Sequence, residues 1–242
     1  MHFDRSINLK NIYYHYPNAS RTALKNINLT IPARSTIGLV GATGSGKTTT
    51  VDIILSLLEP QKGSIEVDNI VINKFNSKAW QNFIGYVPQE IFLSDDTVAA
   101  NIAFGVDPKR IDIEAVEHAA KIANLHDFVT SELPFKYQTT VGERGVRLSG
   151  GQRQRIMVAR ALSLEPKLLI ADEPVSMVDA SLRASILDTI EKLRDENGIS
   201  VIYITHDLAT AYKSADYVVV LHQGHVVEAG LPQSVICDPG PP

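Results

Sequence analysis

The octapeptide Gly41-Ala42-Thr43-Gly44-Ser45-Gly46-Lys47-Thr48 fits the pattern G-x-x-x-x-G-K-[ST]. It follows the apolar run Thr36-Ile37-Gly38-Leu39-Val40, which reads as a buried strand. It precedes Thr49-Thr50-Val51-Asp52-Ile53-Ile54-Leu55-Ser56-Leu57-Leu58, which reads as a helix. A chance Lys-Thr after a glycine-rich turn would not come with matching flanks on both sides. The glycines let backbone N–H groups turn inward around a phosphate chain, and the helix N-terminus adds partial positive charge. Lys47 is expected on the β- and γ-phosphates and the Thr48 hydroxyl on Mg²⁺. Gly41, Thr43, Gly44, Ser45, Gly46 and Thr49 complete the expected nucleotide contacts of this stretch.

Working outward, the 242 residues suit one large domain or a core with an inserted subdomain. Hydrophobic residues make up 44% and charged residues 21%, an ordinary globular balance. The net charge of −4 speaks against bulk nucleic-acid binding, which draws on a basic excess. No apolar run reaches the ~18 residues of a membrane span, and Met1-His2-Phe3-Asp4-Arg5 opens no signal peptide. The single Cys237 builds neither a disulfide framework nor a zinc cluster. A cytoplasmic chain is expected, with any membrane role needing another polypeptide.

On the N-terminal side, Ile7 to Tyr16, Leu24 to Ile31 and Gly63 to Asp68 read as strands of a small antiparallel sheet. Tyr16, at the end of the first, is the candidate to stack on a base. Ile84-Gly85-Tyr86-Val87-Pro88 is a short strand that delivers Gln89, whose carboxamide can offer an acceptor to a metal and a donor to a water. From about Phe92 to Leu164 the periodicity turns helical, with Asp112 placed to cap a helix carrying Ile113, Val116, Ala120 and Ala123. In this insertion Ser149-Gly150-Gly151-Gln152 opens the helix Arg153 to Leu162, a second helix N-terminus suited to an anion. Leu168-Leu169-Ile170-Ala171 is apolar throughout, as a strand buried on both faces requires, and ends in Asp172-Glu173. Adjacent carboxylates at a strand end point different ways, so one can serve a metal and the other a water. Ser200 to Thr205 repeats the pattern and ends in His206, a candidate γ-phosphate contact. Tyr217 to Leu221 and Val226 to Glu228 read as a hairpin.

The order Tyr16, phosphate loop, Gln89, Leu148-Ser149-Gly150-Gly151-Gln152, Asp172-Glu173, Asp179, His206 resembles the nucleotide-binding domain of ATP-binding cassette transporters over nearly the whole chain. The Leu148–Gln152 signature is its specific part. The resemblance implies an α/β fold of the P-loop NTPase type, with a mainly parallel sheet, a small antiparallel β subdomain and an inserted helical subdomain. One domain spans 1–242, its core at about 1–90 and 163–242 and the helical part at about 91–162. Tyr16 then matches the adenine-stacking aromatic, Gln89 the Q-loop glutamine, Asp172 the metal-side aspartate and Glu173 the general base. Asp179, in Ser176-Met177-Val178-Asp179, matches the D-loop aspartate, and His206 the switch histidine. Up to about Arg155 the chain is similar to exporters and lipid flippases, above all in Thr140 to Gly145. From about Ala161 onward it is similar to oligopeptide-importer ATPases. A join of two such halves within the signature helix is therefore expected, with natural divergence as the alternative.

By that resemblance two copies pair head to tail in the presence of ATP, each placing Ser149, Gly150 and Gly151 over the nucleotide held at the partner's Lys47. Glu173 orients the attacking water, while Mg²⁺, Lys47 and His206 stabilise charge on the γ-phosphoryl group. Expected partners are the membrane domains of a transporter, on whose cytoplasmic face the chain would sit. The rival readings are a cassette ATPase acting on nucleic acid or ribosomes, which usually has a coiled coil or tandem cassettes, and a folded but inactive module.

Overall fold

The computed structural model describes residues 2–174, 188 and 192–237, so the candidate Asp179 lies outside the described residues. In chain order come β1 (Ser6–Tyr14), β2 (Leu24–Pro32), β3 (Thr36–Val40), α1 (Lys47–Ile54), β4 (Lys62–Val67), β5 (Ile70–Val71), α2 (Ser77–Gln81) and β6 (Ile84–Val87). The helices α3 (Val98–Ile102), α4 (Ile113–Ile122), α5 (His126–Ser131) and α6 (Gly150–Leu162) follow, linked by short 3-10 turns. Then come β7 (Leu168–Asp172), β8 (Ser200–Thr205), α7 (Leu208–Ser214), β9 (Tyr217–His222), β10 (His225–Gly230) and α8 (Pro232–Cys237).

Strands β2-β1-β4-β5 form an antiparallel sheet in that order. The second sheet runs β10-β9-β3-β8-β7-β6, parallel from β9 to β6, with β10 added antiparallel at the edge. Every residue of β3, β7 and β8 is buried, because layers cover both faces of this sheet. Alternate side chains go to opposite sides. Leu168, Ile170, Ile202 and Ile204 join Ile7, Leu9, Val51 and Ile54, so the antiparallel sheet and α1 close one face. Leu169, Ala171, Val201 and Tyr203 join Ile102, Val116 and Ile156, so the helices α3–α6 close the other.

The helical layer is fixed by polar contacts as well as apolar ones. Asp112 accepts from the amides of Glu114 and Ala115 at 3.0 and 3.2 Å, capping α4 as its sequence pattern predicts. Asn101 is fully buried and engages Ser94 and Thr97. Arg160 of α6 donates to the Asn101 carbonyl at 2.7 Å and lies 4.5 Å from the Phe104 ring centroid.

Two boundaries differ from the sequence reading. The helix after the phosphate loop ends at Ile54, four residues short of Leu58. There the amides of Leu57 and Leu58 fold back on the Asp52 carbonyl, Ser56 takes φ 56°, and the buried Trp80 indole donates to the Ile54 carbonyl at 2.7 Å. Apolar character continued past the last helical hydrogen bond because Leu55 turns into the same core. Likewise β1 stops at Tyr14, placing Tyr16 on the turn beyond it.

Candidate functional site

The glycine-rich loop joins the C-terminal end of β3 to the first turn of α1. Gly46 stands at the helix N-cap with φ 106°, and a Cβ there would lie 2.8 Å from the Leu24 side chain. Both the conformation and the space call for glycine. The first amides of α1 have no partner within the helix and point to the loop side. Lys47 is buried, and its ammonium donates to the carbonyls of Gly41 at 2.6 Å and Ala42 at 3.0 Å. Burial holds its pKa below the ordinary lysine value, opposed by the negative charges of Glu173 and Asp172.

Strand β7 delivers the two carboxylates and separates them. Asp172 is the last, buried residue of the strand. Burial chiefly, then Glu173 beside it, pushes its carboxyl up to about 6, with Lys47 pulling the other way. At Glu173 the backbone enters the left-handed region, φ 45°, with its amide donating to the Ile204 carbonyl at 3.0 Å. A non-glycine residue in that region stores strain, and here it swings the second carboxylate away from the first. Glu173 then accepts from the Gln89 amide at 3.2 Å and lies 3.1 Å from His206 Nδ1. A carboxylate can only accept, so the imidazole Nδ1–H donates and Nε2 is left as the other face of the ring.

Tyr16, Thr43, Gly44, Gly46, Lys47 and Thr48 line a single cavity of about 320 Å³ together with Thr49, Gln89, Asp172 and Glu173. The Tyr16 hydroxyl is 3.2 Å from Thr49 Oγ1, and its ring packs edge-on against Tyr14 with 4.9 Å between centroids. Gly41 and Ser45, also expected as contacts, are not among the lining residues. The Ser45 hydroxyl is buried, and the Ser45 carbonyl accepts from the Gly224 amide at 2.9 Å. His206 reaches the site through Glu173. Ala23 lines the cavity too and was missed, since a methyl group on a turn carries no chemical signal in sequence.

The Ser149–Gln152 segment is not part of this cavity. It caps α6 in a reciprocal pair, the Ser149 amide donating to Gln152 Oε1 at 2.8 Å and the Gln152 amide to Ser149 Oγ at 3.2 Å. The Gln152 Oε1 is thus engaged in capping the helix. Thr48, Gln89 and Asp172 all line this cavity and carry oxygen donors, a set that suits a hard divalent cation. Among the described residues there is no cluster of three or more His, Cys, Asp or Glu side chains that could hold a metal alone. No helix among them is long and apolar enough to cross a membrane.

Three comparisons with known proteins follow the same lines. A sequence model of the family described as ABC transporter matches residues 24–176. An ATP-dependent lipid A-core flippase of Saccharophagus degradans is 40% identical over 95% of this chain, which spans 38% of the flippase. The human ATP-binding cassette sub-family B member 5 is 39% identical over 93% of the chain, which spans 18% of it. The structure of a bacterial Atm1-family ABC exporter with ATP bound superposes with a TM-score of 0.89 at 32% identity, covering 99% of this chain and 41% of the exporter. These matches run through both halves, so the expected importer-like C-terminal part and the join within the signature helix are not supported. That reading rested on Glu165 to Ser176 and on Asp188 to Gly230, stretches that include the buried strands β7, β8 and β9, whose apolar character the sheet itself imposes.

Proposed function

From the premise that this chain belongs to the ABC transporter family as one of its ATP-binding domains, we propose that it binds Mg·ATP in the cavity at Lys47, hydrolyses it, and does so as a head-to-tail dimer that drives transport through membrane domains. The observation that carries this reading is the gathering of Tyr16, Lys47, Thr48, Gln89, Asp172 and Glu173 around one cavity. The relatives are about 2.4 to 5 times as long as this chain, room enough for membrane domains. What is transported, and in which direction, is set outside these residues.

In this reading Tyr16 stacks on the base, and the loop amides with Lys47 cradle the phosphates. Thr48, Gln89 and Asp172 hold Mg²⁺, which when bound neutralises charge on the β- and γ-phosphates. Glu173, held by Gln89 and His206, takes the proton from the attacking water. His206 adds a hydrogen bond to the γ-phosphoryl group. The Ser149–Gly151 helix start lies outside the cavity of its own chain, so it is free to close the cavity of a second copy. Asp179 is assigned to the same interface by its motif.

The composite site gives the test. Ser149→Arg should leave ATP binding to a single chain intact yet abolish phosphate release. Its mixture with Lys47→Ala chains should recover at most one working site per mixed dimer. Full turnover by Ser149→Arg alone would overturn the head-to-tail arrangement.

Asp172 supplies a pH signature without nucleotide or metal. Its folded pKa of about 6 lies above the ordinary 3.8, so the native state favours the protonated form. The burden of its charge is absent below about pH 4, grows as pH rises, and is complete above about pH 6 to 7. Asp172→Asn should therefore melt progressively higher than wild type as pH rises through this window, read by calorimetry in chelator. A constant difference from pH 4 to pH 7 would show that Asp172 is not the group titrating.

A further inference from the structure

The turn of the β9–β10 hairpin, Gln223-Gly224, sits against the back of the phosphate loop. Gln223 and Gly224 have φ 47° and 82°, the paired positive values of a tight hairpin turn. The buried Gly224 does more than turn the chain. Its amide donates to the Ser45 carbonyl of the phosphate loop at 2.9 Å, and its carbonyl accepts from the Lys25 amide of β2 at 2.7 Å. A Cβ at Gly224 would lie 2.5 Å from the Ala23 carbonyl oxygen and 3.1 Å from its carbon. Neither atom belongs to a flexible side-chain end, so backbone would have to move. Ala23 in turn lines the cavity, and its amide donates to the Tyr14 carbonyl at 2.9 Å. Tyr14 is the residue against which the Tyr16 ring packs. A run of backbone contacts, completed by the packing of the Tyr14 and Tyr16 rings, thus links the phosphate end of the cavity, through Gly224, to its base end.

Resting on the nucleotide-binding reading above, we propose that Gly224 is a positioning residue: it fixes the spacing between the phosphate loop and the strand end that carries Ala23 and Tyr16, so that one nucleotide spans both. The positive φ by itself is within the reach of asparagine, which tolerates the left-handed region. The 2.5 Å approach is not within reach of any residue with a Cβ. That difference separates packing from conformation.

The test compares Gly224→Ala and Gly224→Asn with Gly198→Ala. Gly198 also has positive φ, 64°, but nothing lies within 4 Å of its Cβ position. Steady-state hydrolysis of Mg·ATP should show KM raised about tenfold or more in both Gly224 variants, since a shift of a few tenths of an ångström is felt by a preorganised site. The kcat at saturating ATP should stay within about twofold, because Glu173 is positioned by Gln89 and His206. Gly198→Ala should keep the wild-type KM. Loss of folded protein would lower kcat instead of raising KM. A wild-type KM in Gly224→Asn, or an equal rise in Gly198→Ala, overturns the proposal. Hydrogen exchange on the wild type is independent of whether the variants fold: saturating Mg·ATP should slow the Gly224 and Lys25 amides together with those of the phosphate loop. Protection confined to the loop would also overturn it. A wild type that binds no Mg·ATP would instead remove the underlying nucleotide reading.

Discussion

Glu173→Gln should lower the rate of phosphate release by about 10²–10⁴-fold, the usual worth of general-base assistance. That corresponds to about 2.7–5.5 kcal/mol of barrier. A carboxamide keeps the size of the side chain, and its one oxygen can still accept from Gln89 or from His206, while its NH2 can donate to the other once the Gln89 amide flips or the imidazole changes tautomer, so the backbone at φ 45° should hold. What it cannot do is take a proton from water. The affinity for ATP should stay near wild type or rise, because Lys47, Thr48 and Asp172 are untouched and one negative charge beside the triphosphate is gone. Removing that charge also relieves a repulsion that helps push the Asp172 carboxyl upward. With hydrolysis slowed, the variant should elute as a dimer in Mg·ATP and as a monomer in ADP on size exclusion. Hydrolysis at the wild-type rate would leave Glu173 a structural acid that ties Gln89 to His206.

Lys47→Ala should abolish most of the thermal stabilisation that Mg·ATP confers. A ligand at about 100 times its Kd stabilises the native state by about 2.7 kcal/mol. For a chain of this size that is a rise in Tm of roughly 5–11 °C in the wild type. Removing an ammonium from the phosphates forfeits charge-assisted hydrogen bonds worth about 1.5–3 kcal/mol each. One such bond lowers the affinity by about 10–100-fold, which at the weaker end of binding leaves a gain of roughly 1–2 °C. Without nucleotide the variant should melt close to wild type. It loses two hydrogen bonds to the Gly41 and Ala42 carbonyls, but also an ammonium whose charge is disfavoured by burial. Equal stabilisation of both proteins by ATP would mean that the phosphates bind elsewhere.

How these residues come together shows where sequence suffices. Strands β3, β7 and β8 were legible because a strand covered on both faces is largely apolar, and the runs of β7 and β8 ended in polar residues while that of β3 ended in the glycine-rich loop. Lys47, Asp172 and His206 followed from their places after those strands. The capping of α4 by Asp112 was equally local, needing only a carboxylate within reach of the next two amides. The expected importer-like C-terminal part failed for a related reason. The stretches it rested on, Glu165 to Ser176 and Asp188 to Gly230, contain those buried strands, whose apolar character reports the shared architecture rather than the branch.

Sequence by itself determined the nucleotide-phosphate loop, the strand ends that supply its acidic and histidine partners, and the α/β class, since all of these rest on contacts and periodicities a few residues long. Tertiary structure alone decided the rest. It turned the Glu173 backbone into the left-handed region, so that its carboxylate meets Gln89 and His206, residues 84 and 33 positions away. It buried the Ser45 hydroxyl, brought Ala23 into the cavity, and left Ser149 outside it. It set Gly224 against Ala23 and Ser45. Such contacts join backbone atoms far apart along the chain, and a backbone carbonyl or amide is the same in every residue. Only the packing of one strand end against another can say which of them meet.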